Sequence, residues 1–268
     1  MATKTLNPLE WALADQIGYL QPLVRAHGVD WSGVANRFGL PENAKDLIGR
    51  KIEISVLLEL LEFVAGEIDD DAAILDFFSE LPQGAFPTFE FVASCAPSLR
   101  TGLKNWQRFF VLRGNCIKLA FDEQPEFGAL TWEIPDRFAP RTQAFFAEVA
   151  WAASRIEHMA LGQAMRLTIE LSVPPPKCKS RFLQRNGSHL KFGQAHDRIL
   201  IPSVFLDLKP QCGKPCPYAE IENAAMTDVD KILQLGSPLN SIKAAISSHL
   251  KAGDCKVKSV AACLGISQ

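Results

Sequence analysis

The sequence predicts an α+β fold in which N-terminal helices precede a small, mostly antiparallel sheet and a long helix that packs on it. Residues 9–113 carry apolar side chains mainly at helical spacing. Residues 115–123 and 128–135 alternate between apolar and polar side chains, as half-buried strands do, and 136–162 is a long helical stretch. Helices on both sides of a small antiparallel sheet are typical of α+β domains.

The N-terminal part predicts a series of helices, the second of which begins at Asp30 and stops at residues 39–41. Residues 9–28 end at Gly28, a residue suited to a helix C-terminus. The strongly apolar stretch 53–67 predicts a buried helix, and 69–81 begins with acidic residues, which the dipole of a helix favours at its N-terminus. A short helix at 86–95 and an amphipathic one at 99–113 follow.

After the long helix, residues 165–176 predict a strand that ends in prolines, followed by a short helix and short strands. Residues 209–220 contain three prolines and a glycine and predict a loop before a helix at 221–236. Ser237 and Pro238 then restart a helix, since Ser is a good N-cap and Pro is tolerated at the first helical position. We therefore divide the chain into domains 1–237 and 238–268.

Composition excludes several classes of protein. The chain has 268 residues, of which 47% are hydrophobic and 22% charged, with a formal net charge of −2, so it is not a polyanion binder by composition. The longest apolar run, 144–153, is too short for a membrane helix and contains Glu148. The N-terminus lacks the apolar region of a secretory signal. We expect a cytoplasmic protein without membrane association, whose seven cysteines are reduced thiols.

The last residues show the pattern of helix ends and turn that is typical of a helix-turn-helix. Val257, Val260, Ala261 and Leu264 form one apolar helical stripe, and the glycine after Leu264 can end that helix. Ser267 is a good N-cap for a following helix. Residues 238–268 therefore predict a partial, all-α helix-turn-helix segment.

Four stretches, taken in order, resemble the AraC family of bacterial transcription regulators with an arabinose-binding-like N-terminal domain. They are "IEISVLLELLEFVAGEIDDDAAI" (52–74), "FVASCAPSLRTGLKNWQRFFVL" (91–112), "RFLQRNGSHLKFGQAHDRILIPSVFLDLKP" (181–210) and "VKSVAACLGIS" (257–267). The resemblance implies a regulator that binds a small-molecule effector within residues 1–237, forms a homodimer and binds DNA.

By the same resemblance, DNA contacts fall in the terminal segment. Lys256 and Lys258 lie where a scaffold helix runs beside phosphates, although a solvated helix face is the alternative. Ser267 and Gln268 begin the helix that would enter the groove. The family's second helix-turn-helix and the rest of its recognition helix have no counterpart here, so we expect this polypeptide not to bind DNA sequence-specifically.

Aromatic residues are the candidate effector ligands. Trp106, Phe109 and Phe110 share one predicted helix, Trp132 lies on a strand and Trp151 on the long helix. They could line an apolar pocket or form the core. A carboxylate effector could pair with one of three arginines, and surface positions are the alternative for these: Arg108, Arg113 and Arg155.

No cofactor, metal site or catalytic residue is expected. Cys212 and Cys216 could hold zinc together with Cys178, His189 or His196, but their spacing is not that of a tight zinc knuckle. No sequence motif surrounds any of the cysteines that would identify it as a nucleophile acting with a histidine such as His158. We therefore expect a non-enzymatic regulator. The alternatives are a stand-alone binding or dimerisation module without DNA binding, and an enzyme on the same domain.

Overall fold

The structure, a computed structural model, describes residues 10–160, 165–186, 189–212, 217–236, 246, 249–250 and 256–259, with the side chains of 233–236 left out. The chain forms two compact units, residues 1–222 and 223–268. Helices and strands are mixed in the first unit, which confirms the predicted α+β class.

The helices of the described residues follow the predicted order. They are α1 (Asp15–Ala26), α2 (Trp31–Phe38), α3 (Ile54–Ile68), α4 (Ala73–Ser79), α5 (Pro87–Ser94), α6 (Leu99–Phe109), α7 (Thr142–Met159), α8 (Arg181–Asn186) and α9 (Tyr218–Gly236). Local sequence explains several ends. Asp30 accepts hydrogen bonds from two backbone N–H groups at the start of α2, and Gly39 ends that helix in the left-handed conformation, with a φ of 64°.

The strands are β1 (Trp11–Leu13), β2 (Lys51–Glu53), β3 (Lys118–Glu123), β4 (Phe127–Glu133), β5 (Thr168–Glu170), β6 (Leu190–Lys191) and β7 (Asp197–Pro202). Five of them form a sheet in the order β3-β4-β7-β5-β6. The β3–β4, β4–β7 and β5–β7 pairs are antiparallel, and the short β5–β6 pair is parallel. The expected mostly antiparallel sheet is therefore present.

A second, two-stranded sheet was not predicted. Residues 11–13, which the periodicity places in the first helix, form β1 and pair with β2, Trp11 lying opposite Glu53. Three residues are too few to show a period of two, and the strand exists only because β2, which lies about 40 residues further along the chain, supplies its hydrogen bonds.

The long helix begins later than predicted. Residues 136–138 form a single 3-10 turn, the Ala139–Pro140 peptide bond is cis, and α7 starts at Thr142. Fourteen of its 18 residues are buried, so α7 is the central helix of the unit. It packs against α3, α4 and β7, while α5 packs against α6 and α6 against β3.

Close contact between α5 and α6 depends on a glycine. A Cβ atom added to Gly102 of α6 would lie 2.8 Å from the backbone oxygen of Ala93 in α5. This contact brings the aromatic residues of α5 and α6 together against α7. In the part of the chain that the structure describes, no helix is both long and apolar enough to span a membrane.

Candidate functional site

An aromatic cluster lies where α5, α6 and α7 meet. The ring of Trp106 in α6 lies 5.1 Å from that of Trp151 in α7, and Phe89 of α5 stacks on both, at 5.9 and 5.7 Å. Phe86 and Phe110 meet the cluster edge-on, at 5.5 Å from Trp151 and 5.7 Å from Phe89 respectively. Edge-on and offset contacts at these distances are the preferred arrangements of aromatic rings.

Two buried ion pairs border this cluster. Arg113 lies 3.2 Å from Glu148, and its guanidinium stands 3.6 Å from the centre of the Phe86 ring. Arg155 lies 3.2 Å from Glu90. Since an unpaired buried charge is costly, each pair fixes the segment that carries its arginine relative to the one that carries its glutamate.

Glu90 connects the second pair to the aromatic cluster. Its carboxylate accepts hydrogen bonds from the backbone N–H groups of Gly84 (2.7 Å) and Phe86 (3.1 Å) and from the indole N–H of Trp151 (3.3 Å). This glutamate therefore holds the turn before α5, as well as Trp151.

A narrow cleft opens beside Glu90 and Arg155. Its apolar wall consists of Phe91, Trp106 and Met159, and its polar wall includes Gln83, Ser94 and Gln211, with Cys212. The cavity measures about 20 Å³, which is room for one or two water molecules. Ligand pockets usually measure about 300–1,000 Å³, so a small molecule needs the cleft to widen.

A wider groove lies on another face of the first unit. It measures about 590 Å³ and runs between α2, α3 and Pro140. Arg37 stands 4.2 Å from the centre of the Phe63 ring there. Glu62, which also lines the groove, accepts a hydrogen bond from the backbone N–H of Gln143 at the start of α7. Burial raises the pKa of Glu62, against the lowering effect of the Gln143 and Thr142 N–H groups. The Glu62 carboxylate therefore caps the start of α7, and this structural role explains why a carboxylate lines the groove.

The structure brings together three of the five predicted ligand residues. Trp106 lines the cleft, and Trp151 and Phe110 belong to the cluster behind it. Phe109 is fully buried and has the guanidinium of its neighbour Arg108 against its ring. Trp132 is buried in β4, opposite Leu119 of β3. Effector contact by these five residues stays a prediction.

The three candidate arginines all face a glutamate of this chain. Arg113 and Arg155 are buried in the pairs described above, and Arg108 lies 2.9 Å from Glu222 on the surface of the first unit. An effector carboxylate would have to compete with a resident carboxylate at each of them.

The cysteines form no zinc site of the expected kind among the described residues. Cys212 lies with its sulfur 2.9 Å from that of Cys95, while Cys216 lies outside the described residues. Cys95 is disulfide-bonded, in contrast to the reduced thiols expected from the sequence. The one described cluster of three possible metal ligands joins Asp70, Asp71 and Cys178. Asp71 already accepts hydrogen bonds from the N–H groups of residues 177 and 178, so this cluster shapes a loop.

Two of the four predicted DNA contacts can be described. Lys256 and Lys258 are both exposed, and Lys258 belongs to a helical stretch at 257–259. Val257, which the sequence places on an apolar stripe, is 77% exposed. Ser267 and Gln268 lie outside the described residues.

The comparisons with known proteins bear on the whole first unit. The family described as the arabinose-binding domain of AraC transcription regulators, N-terminal, matches residues 28–210, more than half of the chain. The chain belongs to this family. The match covers α2 to β7 and therefore includes the aromatic cluster, both buried ion pairs and nearly all of the cleft. A search of curated proteins found no match.

Membership of this AraC family confirms the resemblance seen in the sequence and marks the first unit as the sensing domain of a regulator. Sequence analysis missed the two glutamates, Glu90 and Glu148, that organise the candidate site. The available signal was that each is an acidic residue within an apolar stretch of its helix, where a charge needs a buried partner.

Proposed function

We propose that this protein is a small-molecule-responsive transcription regulator of the AraC family. Residues 1–237 bind the effector and form a homodimer, and residues 238–268 contribute to DNA binding. The protein acts in the cytoplasm and is not an enzyme. The observation that carries the proposal is that the family's sensing domain here contains a cleft backed by buried aromatic rings and an ion pair.

Effector binding fits the form of this cleft. Ligand sites in proteins combine apolar and aromatic walls with a few fixed polar groups. Phe91 and Trp106 supply the first, and Gln83, Glu90 and Arg155 the second. Effector binding acts on regulation when the ligand has different affinities for two arrangements of the protein.

A thermal-shift screen with small metabolites tests effector binding. A ligand that binds only the folded protein raises the melting temperature. At a concentration of 100 times its Kd, such a ligand increases the free energy of unfolding by about 2.7 kcal/mol. Phe91→Ala, at the edge of the cleft, should weaken the binding of a hit at least about fivefold, so that about five times more ligand is needed for the same shift. Val204→Ala is the control, because Val204 is 80% exposed and is not among the residues that line the cleft. No hit among sugars, amino acids, fatty acids and aromatic compounds contradicts the sensing function.

The role of the terminal segment is tested through the salt dependence of DNA binding. Each phosphate contact contributes about 0.9 to the slope of log K against log salt concentration. Replacing Lys256 and Lys258 by Ala should lower that slope by about 1 for each lysine. Lys118→Ala on β3, also a strongly exposed lysine, should leave the slope unchanged. Equal slopes for all variants contradict phosphate contact by the two terminal lysines.

Homodimer formation is tested by sedimentation velocity over a range of protein concentrations. A regulator that acts through paired DNA-binding units should sediment as a dimer at micromolar concentration. A monomer throughout that range contradicts this part of the proposal.

A further inference from the structure

The floor of the cleft is a neutral ion pair. Glu90 is 4% and Arg155 7% exposed, and the Nε atom of Arg155 lies 3.2 Å from the carboxylate of Glu90. One negative and one positive group together leave the floor without net charge. Whatever enters the cleft therefore meets a strong local dipole rather than a free charge.

The hydrogen bonds of the pair are unevenly satisfied. Glu90 accepts from three other groups, and Arg155 donates from one nitrogen to the carbonyl oxygens of Leu81 and Pro82, at 2.6 and 2.8 Å. The Nε–H of Arg155 lies close to Glu90 but makes no hydrogen bond of acceptable geometry. A buried donor without an acceptor is unfavourable by about 1–3 kcal/mol.

This arrangement discriminates by charge. A ligand carboxylate on Arg155 would leave the floor with a net negative charge between Phe91, Trp106 and Met159, and burial of an uncompensated charge beside apolar side chains is strongly unfavourable. A carbonyl, amide or hydroxyl oxygen supplies an acceptor to the cleft without adding charge. The apolar wall favours a ligand whose remaining surface is apolar.

We propose that the cleft binds an uncharged, largely apolar small molecule through a hydrogen-bond acceptor, and that it rejects the corresponding carboxylate. This inference rests on the proposed effector function and names the chemical class of the effector. It differs from the carboxylate that the three arginines suggest in the sequence, because their glutamate partners are visible only in the folded protein.

The chain segment at 206–212 forms the wall that has to yield. Gln211 and Cys212 line the cleft, which at about 20 Å³ is too small for such a ligand. Three backbone hydrogen bonds hold the segment, from Leu99 to Leu208, from Arg100 to Leu206 and from Gln211 to Met159. Since this segment leads along the chain to α9, its displacement is the physical means by which a ligand in the cleft changes the protein beyond the cleft.

Thermal-shift measurements with matched probes test the inference on the unmodified protein. Phe91→Ala removes part of the apolar wall and reports on binding at the cleft, and Val204→Ala, at an 80% exposed site that is not among the lining residues, is the control. The probes are matched pairs with similar shape and different charge: benzamide and benzoate, 2-naphthamide and 2-naphthoate, indole-3-acetamide and indole-3-acetate. The rise in melting temperature is measured for each protein over a range of probe concentrations.

At least one amide should raise the melting temperature of the unmodified protein and of Val204→Ala at a concentration at least about tenfold below that of its matched carboxylate, and should have a weaker effect on Phe91→Ala. Equal effects of an amide and its carboxylate, a stronger effect of the carboxylate, or no effect of any probe overturns the inference. A hit from the wider metabolite screen that stabilises Phe91→Ala as much as the unmodified protein overturns this site while the sensing function stands.

A charge-changing variant provides the second measurement. Glu90→Gln keeps the size of the side chain and leaves Arg155 with an unneutralised positive charge. The variant should gain at least about tenfold in preference for carboxylate over amide probes, measured as the ratio of their concentrations for half-maximal effect. An unchanged ratio in the folded variant overturns the charge argument, and if the variant does not fold, the thermal-shift comparison of amides and carboxylates on the unmodified protein decides.

Discussion

Breaking the buried pair of Glu90 and Arg155 is the sharpest test of how the sensing unit is held together. Glu90→Leu removes the carboxylate that faces Arg155 and accepts hydrogen bonds from Gly84, Phe86 and Trp151. Arg155 would then be a buried cation without a counter-charge. Removing one member of a buried pair destabilises proteins by about 3–5 kcal/mol.

The orphaned N–H groups add to this loss. Each buried donor without an acceptor contributes about 1–3 kcal/mol, although the turn at 84–86 can relax toward water and recover part of it. We expect Glu90→Leu to lower the free energy of unfolding by about 4–5 kcal/mol, out of a total that is typically 5–15 kcal/mol.

The double variant Glu90→Leu/Arg155→Met separates charge from packing. It removes both charges and fills the space with apolar side chains, an exchange that is often neutral or stabilising. Here the carbonyl groups of Leu81 and Pro82 lose their donor, and the N–H groups of Gly84, Phe86 and Trp151 still lack their acceptor, so we expect a net loss of about 2–4 kcal/mol. The double change should therefore be less destabilising than the sum of the single changes by at least about 2 kcal/mol.

Urea unfolding followed by tryptophan fluorescence measures these differences. All five tryptophans lie between residues 11 and 151, so the signal reports on the first unit. Glu123→Gln is the control, because Glu123 pairs with Arg100 and Lys104 at a partly exposed site and should change stability by less than about 1 kcal/mol. A loss below 1 kcal/mol for Glu90→Leu, or a double variant as unstable as the sum of the single ones, would refute the reasoning.

Three further predictions concern other parts of the first unit. Gly102→Ala should destabilise it by about 1–3 kcal/mol in urea unfolding, because the new Cβ meets the backbone of α5 at 2.8 Å. Gly66→Ala, in an exposed and open position of α3, should stabilise it by about 0.5–1 kcal/mol. The same sign for both variants would contradict the close-contact argument. Asp76→Ala should destabilise by about 1–3 kcal/mol in the same assay, because the Asp76 carboxylate accepts hydrogen bonds from the Ser180 hydroxyl and from the backbone of α8, and an effect as small as that of Glu123→Gln would contradict it. Burial raises the pKa of Glu62, so the folded protein takes up a proton there more readily than the unfolded chain, and this group makes the free energy of unfolding rise as the pH falls from 7 through the raised pKa. In Glu62→Gln the rise in the free energy of unfolding between pH 7 and pH 5 should be smaller than in the unmodified protein. An equal rise would argue against the buried state of this carboxyl.

Periodicity alone was enough for most of the secondary structure. The helical spacing of 53–67 and the alternation of 115–123 correspond to α3 and β3, because apolar residues on one face of an element must be buried whatever its neighbours are. The same argument failed at residues 11–13, where a strand forms only through a distant partner, and at 136–141, where a cis peptide and a 3-10 turn delay the start of α7.

The candidate site was only half visible in the sequence. Aromatic residues on three predicted helices indicated a cluster, and Trp106, Phe110 and Trp151 do meet. Nothing in their spacing identified Phe89 of α5 as a ring that stacks on both tryptophans, because that contact depends on the close approach of α5 and α6 at Gly102.

The sequence by itself determined the fold class, the order of the elements and membership of the AraC family, since these follow from local periodicity and from an ordered series of motifs. Only the tertiary structure decided which charges neutralise which. Glu90 and Arg155 are 65 positions apart in the chain, and no local pattern relates them. Their pairing neutralises Arg155, as Glu148 does Arg113 and Glu222 does Arg108, and the neutral pair in the cleft determines what kind of effector the cleft can accept.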